Sequence, residues 1–146
     1  MNTFLPYPDF KDSAWILDDR TLYAQRLEAK QIVMTLEGKV KLWQDEPAVL
    51  MWQGHPQCLS LYGFVVCTEL LRRGFRDSVR SFFALRLPRN EFDPPWWLGW
   101  DELHRSHQSN LIKKMPERYG RIWPDVPDDL PLVWPTSQEE FADEPA

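Results

Sequence analysis

The sequence predicts a mostly α-helical protein: a single compact domain of about four helices with long loops rich in proline and tryptophan. Several segments carry apolar residues at helical spacing, and none shows the strict alternation of a half-buried strand. The 146 residues are 43% hydrophobic, which is enough apolar side chain for one core. Thirteen prolines against six glycines favour short helices and stiff connections.

The first ten residues, MNTFLPYPDF, are predicted to be extended and packed against the body of the protein. Pro6 and Pro8 disfavour a helix here, and four large apolar side chains favour burial. Packing of this segment would fix the position of the terminal amine.

The first helix is predicted to begin near Ser13, or at Asp18 or Asp19, and to end at Glu37. Acidic residues at its start and Gly38 just past its end suit the helix dipole and a left-handed C-terminal cap.

The second helix is predicted from Pro56, which suits a first turn, to the pair Arg72 and Arg73, with Gly74 as its stop. Its apolar stripe has helical spacing and consists of Leu59, Tyr62, Val66 and Leu70.

The remaining elements are predicted less sharply. Residues 76–87 fit either a short helix or an extended piece, and 92–100 (FDPPWWLGW) fit a loop. A helix is expected from Asp101 to about Met115. After Pro116 the chain is expected to be extended, and to fray from about Ser137.

Charge is unevenly distributed along the chain. Residues 1–71 carry net −3, residues 72–123 carry +5, and residues 124–146 carry −7 with no lysine or arginine. We therefore expect a helical domain over 1–123 and an acidic, proline-rich extension over 124–146. This balance is compatible with a nucleic-acid face but does not give a strong electrostatic signal for one.

No apolar run approaches the roughly 20 residues of a membrane span, and no signal peptide is recognisable, so a cytoplasmic protein is expected. Cys58 and Cys67 are too far apart on one helix to pair, so we interpret them as small buried hydrophobes in a reducing compartment.

Glu28 is the first candidate for chemistry. Ala24 and Ile32 lie one turn before and after it in the predicted first helix. A carboxylate between apolar neighbours is a candidate for partial burial and a raised pKa, which suits a general acid or base. Most such glutamates, however, lie at the edge of a core or pair with a cation.

A polar run in the last predicted helix is the second candidate. His104 and His107 are neighbours on the helix surface and could share a phosphate, a proton or a metal. No third ligand has a suitable spacing, so no metal is expected. The run could bind a polar ligand or could consist of hydrogen-bonded core residues; besides the histidines it contains Arg105, Gln108, Asn110, Lys113 and Lys114.

Two further features have an ordinary and a functional interpretation. A band of arginines could be a solvated face, a partner of the acidic extension, or a phosphate-binding surface; its members are Arg72, Arg73, Arg76, Arg80, Arg86 and Arg89. A tryptophan cluster is more often a core or loop anchor than a base-stacking platform; its members are Trp96, Trp97 and Trp100.

Four segments together resemble the pyrimidine-dimer DNA glycosylases of the phage endonuclease V type, and in particular the bacterial branch of that superfamily. Their order and approximate spacing match over about 70% of the chain. They are LDDRTLYAQRLEA (17–29), EPAVLMW (46–52), ELLRRGF (69–75) and WDELHRSHQSNLIKKMPERY (100–119).

The resemblance implies a small all-α fold whose N-terminal α-amine attacks C1′ of a damaged nucleotide and forms a Schiff base. It also implies that Glu28 is the helix-one glutamate that assists base loss and strand cleavage. Asn2 is bulkier than the residue that follows the initiator methionine in the phage enzymes, so we expect Met1 to stay, with its amine one residue out of register.

The resemblance further implies DNA as partner and no cofactor, with phosphate contacts from Arg20, Arg26, Arg72, Arg73, Lys113 and Lys114. Two other hypotheses remain open at this point. The same fold could bind or process a nucleotide or small phosphate-bearing ligand, using His104, Arg105, His107, Gln108 and Asn110. It could also be a non-catalytic interaction protein that uses its acidic extension.

Overall fold

A computed structural model describes residues 1–135, which form seven helices and no strand. This confirms a helical fold but corrects the predicted number of four helices. The helices are α1 (Phe10–Ile16), α2 (Asp19–Leu36), α3 (Pro47–Leu50), α4 (Pro56–Arg72), α5 (Arg80–Ala84), α6 (Asp101–Lys114) and α7 (Pro116–Ile122).

The core forms where α2 crosses α4, which is the largest helix–helix contact in residues 1–135. α1 and α5 pack on other parts of α4, and α7 packs on α6. The predicted stripe of α4 is confirmed, because all four of its residues are fully buried. They meet Leu22 and Ile32 of α2 in one continuous apolar cluster.

The predicted first helix is two helices, separated at Leu17 and Asp18. Both residues have extended backbone geometry, and the Asp18 carboxylate accepts a hydrogen bond from the Thr21 amide at 3.1 Å as the N-cap of α2. The Tyr119 hydroxyl donates to the same carboxylate and accepts from the Asp18 amide. This double contact fixes the break between α1 and α2, and the predicted end near Gly38 is confirmed.

Short helices occupy two segments whose predicted structure was undecided or extended. The undecided segment 76–87 contains α5, only five residues long. The expectation of an extended chain after Pro116 is wrong for residues 116–122, because Pro116 occupies the first turn of α7, where its missing N–H costs nothing. The long helices are confirmed, since α4 and α6 end within one residue of their predicted ends.

The loop after α5 and the chain after α7 are both anchored by packing. Trp97 is buried, donates to the Met51 carbonyl at 2.8 Å and meets Trp52 edge-to-face, so it is a core anchor. Beyond α7, the Leu130 and Val133 amides donate to the side chains of Ser109 and Ser106 on α6. The first part of the acidic extension therefore lies along α6, whereas Ser137 lies outside the described residues.

Cys58 and Cys67 are free and buried, as predicted, and burial raises the pKa of the Cys58 thiol to about 12. Among the helices of residues 1–135, none is both long and apolar enough to cross a membrane.

We predict that Gly63→Ala destabilises the protein by about 1–3 kcal/mol, the usual range for overpacking. A Cβ at Gly63 would lie 2.4 Å from ring atoms of Phe83, where α4 and α5 touch. Urea unfolding would measure the change in the free energy of unfolding.

Gly120→Ala in α7 is the matched control, because a Cβ there meets nothing within 4 Å. It is expected to be neutral or stabilising by roughly 0.5–1 kcal/mol. Equal effects of the two substitutions would contradict this account of the α4–α5 contact.

Candidate active site at the N-terminal segment

The N-terminal segment, residues 2–6, is buried, as its sequence predicts. Backbone groups buried outside regular structure need hydrogen-bond partners. Side chains from α2, α4 and α6 supply them. The Thr3 hydroxyl also accepts from the Trp52 indole at 2.9 Å. The segment is thus held by several elements at once.

Gln25 and Glu28, one turn apart on α2, hold the start of this segment. The Asn2 amide nitrogen donates to Glu28 Oε2 at 3.3 Å, and Gln25 Nε2 donates to the same oxygen at 3.1 Å. Gln25 Nε2 also donates to the Asn2 carbonyl at 3.0 Å, and Gln25 Oε1 accepts from the Phe4 amide at 2.7 Å. Glu28 itself is half-buried.

The main-chain nitrogen beside Glu28 is that of residue 2. Met1 is 39% exposed, whereas Asn2 is 7% exposed. If the chain began at Asn2, its α-amine would occupy the position now held by the amide nitrogen. A carboxylate at this distance can take a proton from the amine or stabilise a cation formed on it.

His104 and His107 face the interior and bind the backbone of Leu5. The Leu5 amide donates to His107 Nδ1 at 2.9 Å, and His104 Nδ1 lies 2.8 Å from the Leu5 carbonyl. His104 Nε2 accepts from the Gly99 amide, so its proton is assigned to Nδ1, which then donates to Leu5. Both rings act as neutral hydrogen-bonding groups in the core.

Burial explains the electrostatics of this pair. Desolvation lowers the pKa of His107 to about 3, helped by the neighbouring His104, and it also lowers the pKa of His104. Gln108 completes the contact, because its Nε2 donates to the Pro6 carbonyl at 2.8 Å. Within residues 1–135, no three side chains of the metal-ligating types come together as a metal site.

The other candidates on α6 lie further out. Arg105 is exposed, with Nη2 3.4 Å from the Asp125 carbonyl, and Asn110 is half-buried. Lys113 and Lys114 are exposed. The Lys114 ammonium lies 5.3 Å from the centroid of the Phe4 ring, which puts one cation next to the N-terminal segment.

Arg20 and Arg26 lie on α2, the helix of Glu28. Arg20 is exposed. Arg26 is 7% exposed; its guanidinium stacks on Tyr23 at 3.9 Å, and Nη1 lies 3.6 Å from Asp77 Oδ1. Of the two, Arg20 has the more accessible side chain for a ligand phosphate.

Arg72 and Arg73 lie at the C-terminal end of α4 and both pair with Glu69. Arg73 also pairs with Asp19 at 2.9 Å and donates to carbonyls of α1, so it joins three helices. Arg72 stacks over Trp15 at 4.5 Å. These contacts tie the two arginines to the junction of α1, α2 and α4.

Two residues at the site were missed by the sequence analysis, Gln25 and Tyr62. The Tyr62 hydroxyl lies 2.7 Å from Gln25 Oε1 and 2.9 Å from the Phe4 carbonyl. Tyr62 was predicted only as part of the core. A polar residue three positions before Glu28 on the buried side of the helix was the one available signal for Gln25.

We predict that His107 makes the protein less stable in acid. The unfolded chain binds a proton near pH 6.5, whereas folded His107 binds one only near pH 3. Stability therefore falls as the pH drops below 6.5, by up to about 1.4 kcal/mol per pH unit from this group. Urea unfolding at pH 6.5, 5.5 and 4.5 would measure this slope.

His107→Asn keeps an acceptor for the Leu5 amide but cannot titrate, so its slope should be shallower than that of the wild type. His55→Asn, at the start of α4, is the control that should keep most of the slope. Parallel wild-type and His107→Asn profiles would contradict the assignment.

Comparison with known proteins finds one family whose model covers the N-terminal part of the chain. The model of the family described as pyrimidine dimer DNA glycosylase matches residues 1–81, which include Gln25, Glu28 and Tyr62 and exclude α6. No curated protein and no solved structure matches the chain. The family model spans more than half of the 146 residues, and the chain belongs to the pyrimidine dimer DNA glycosylase family.

Proposed function

We propose that this protein is a DNA glycosylase and lyase for pyrimidine dimers or related damage, with an N-terminal α-amine as nucleophile and Glu28 as acid–base group. The observation that carries the proposal is the 3.3 Å contact between the residue 2 nitrogen and Glu28 Oε2, within the segment that the family model matches.

The chemistry needs a neutral amine. An α-amine has a reference pKa of about 7.7–8.0, so a useful fraction is uncharged near pH 7, unlike a lysine side chain. The amine attacks C1′, the bond to the damaged base breaks, and the base leaves with that electron pair and takes up a proton. The nitrogen lone pair then forms the C1′=N bond as the C1′–O4′ bond breaks, O4′ takes up a proton from water, and the product is a protonated, cationic imine.

Glu28 would act in both halves of the reaction. Its carboxylate stabilises the cationic imine and accepts a proton from C2′. The electron pair of that C–H bond forms a double bond as the 3′ phosphate leaves C3′, and the strand is cut. Water then hydrolyses the imine and frees the amine.

A damaged nucleotide must be distorted or flipped before its C1′ can be reached, which requires phosphate contacts on both sides. Lys114 beside Phe4 and the exposed Arg20 and Lys113 are the best supported of the candidate contacts. Arg26, Arg72 and Arg73 stay proposed contacts, although internal acids and aromatic rings already engage them.

The alternative, a site for a nucleotide or other small phosphate-bearing ligand on α6, has less support. Polar atoms that could bind such a ligand already bond the backbone of residues 5 and 6; they belong to His104, His107 and Gln108. No contact among the described residues favours an interaction role for the acidic extension over the enzyme.

We predict that sodium borohydride traps the wild-type protein covalently on duplex DNA that carries a thymine dimer or an abasic site. Glu28→Gln keeps the size of the side chain but cannot accept a proton, so base release and strand cleavage should fall about 100-fold or more. Gel analysis of trapped and cleaved DNA would measure both.

The matched control is Glu37→Gln, at the far end of the same helix, where the carboxylate pairs with Arg86. That variant should trap and cleave like the wild type. Absence of any adduct with the wild type, or full activity of Glu28→Gln, would overturn the proposal.

We further predict that the active species begins at Asn2. Protein released from a fusion by cleavage directly before Asn2 should trap at least about 100-fold faster than protein that retains Met1, because an extra residue moves the amine by about 3.8 Å and a displacement of about 1 Å at a reacting atom already has that effect. Intact mass would define each form, and single-turnover trapping would compare them. Equal rates would assign the reaction to the Met1 amine instead.

A further inference from the structure

We propose that Gln25 is a positioning residue that holds the residue 2 nitrogen and the Glu28 carboxylate in reacting geometry. This inference rests on the proposed function and adds a residue to it. The observation behind it is that one buried side-chain amide bonds both the nitrogen-bearing residue and the carboxylate.

Both ends of the Gln25 amide are hydrogen-bonded. A glutamine amide has two N–H donors and two acceptor lone pairs. Its donors bind the Asn2 carbonyl and Glu28 Oε2, at 3.0 and 3.1 Å. Its oxygen accepts from the Phe4 amide at 2.7 Å, and the Tyr62 hydroxyl lies 2.7 Å from the same oxygen and shares its one proton between it and the Phe4 carbonyl. Gln25 is 1% exposed, so no solvent competes for these bonds.

Only one orientation of this amide satisfies its neighbours. Exchange of Oε1 and Nε2 would point N–H groups at the Phe4 amide and an oxygen at the Glu28 carboxylate. The amide therefore fixes the separation between the start of the chain and the Glu28 carboxylate.

The same argument explains why glutamate cannot replace glutamine here. In Gln25→Glu, an ionised side chain would set one carboxylate against another, and a protonated one would have a single proton for two acceptors. The other titratable group in contact with the amide is the buried Tyr62 phenol. The terminal amine belongs to the residue before Asn2, and the Lys114 ammonium lies 5.3 Å from the centroid of the Phe4 ring.

The test compares pH–rate profiles for single-turnover cleavage of DNA containing an abasic site. For Gln25→Glu, we expect the maximum rate to fall about 10- to 100-fold. We also expect the acidic limb to move up by roughly one pH unit, because the new carboxylate repels the Glu28 carboxylate and favours the protonated form of the neighbouring amine, which cannot attack.

Tyr62→Phe is the comparison variant: it removes the phenol that lies between Gln25 Oε1 and the Phe4 carbonyl but leaves both Nε2 bonds in place, so it should lower the rate less and leave the acidic limb where it is. A merely structural role predicts similar changes in both variants, and that result would overturn the proposal. So would an unchanged acidic limb in Gln25→Glu.

Gln25→Met, which is neutral and close in size, covers the case in which the buried charge prevents folding. It should also lower the maximum rate, because the two donors that hold the Asn2 carbonyl and the Glu28 carboxylate are lost, and an unaltered rate would again overturn the inference. Inactivity of the wild type would instead reject the proposed function, so the two failures are distinguishable.

Discussion

The burial of residues 2–6 is the constraint on which the rest of the structure depends. This segment forms neither helix nor strand, so each of its backbone groups needs a partner from elsewhere. Side chains from three helices, far apart in the sequence, supply these partners: Gln25 on α2, Tyr62 on α4, and His104 and His107 on α6. An unpaired buried group would cost about 1–3 kcal/mol, so side-chain chemistry at these four positions is tightly restricted.

The same constraint explains the polar run on α6. Its histidines and Gln108 face the N-terminal backbone, while Ser106 and Ser109 face the chain that follows α7. Donors and acceptors that bind a buried backbone are the same groups that would bind a ligand. Sequence alone therefore could not distinguish the two, because the partner lies about 100 residues away along the chain.

The long helices and their ends could be predicted from the sequence because their signals are local. Pro56 and Gly74 mark the two ends of α4, and Gly38 marks the end of α2, through their backbone geometry alone. The break at Asp18 could not be predicted from local signals, since Tyr119 stabilises it from the other end of the chain. Glu28 could be proposed from its apolar helical neighbours and from the family resemblance, whereas the contacts of Gln25 are tertiary, and its spacing from Glu28 alone does not reveal them.

The position of the residue 2 nitrogen follows from side-chain packing. Residue 2 is buried and residue 1 is exposed. The nitrogen beside Glu28 therefore lies between a buried segment that is held in place and the exposed Met1. Neither polar atom of the Asn2 side chain finds a partner among the described residues, an arrangement more typical of functional sites than of cores. A nucleophile at residue 2 would react faster because of this tightly held position, since the segment that orients it is already ordered before any substrate arrives and little entropy is lost on binding.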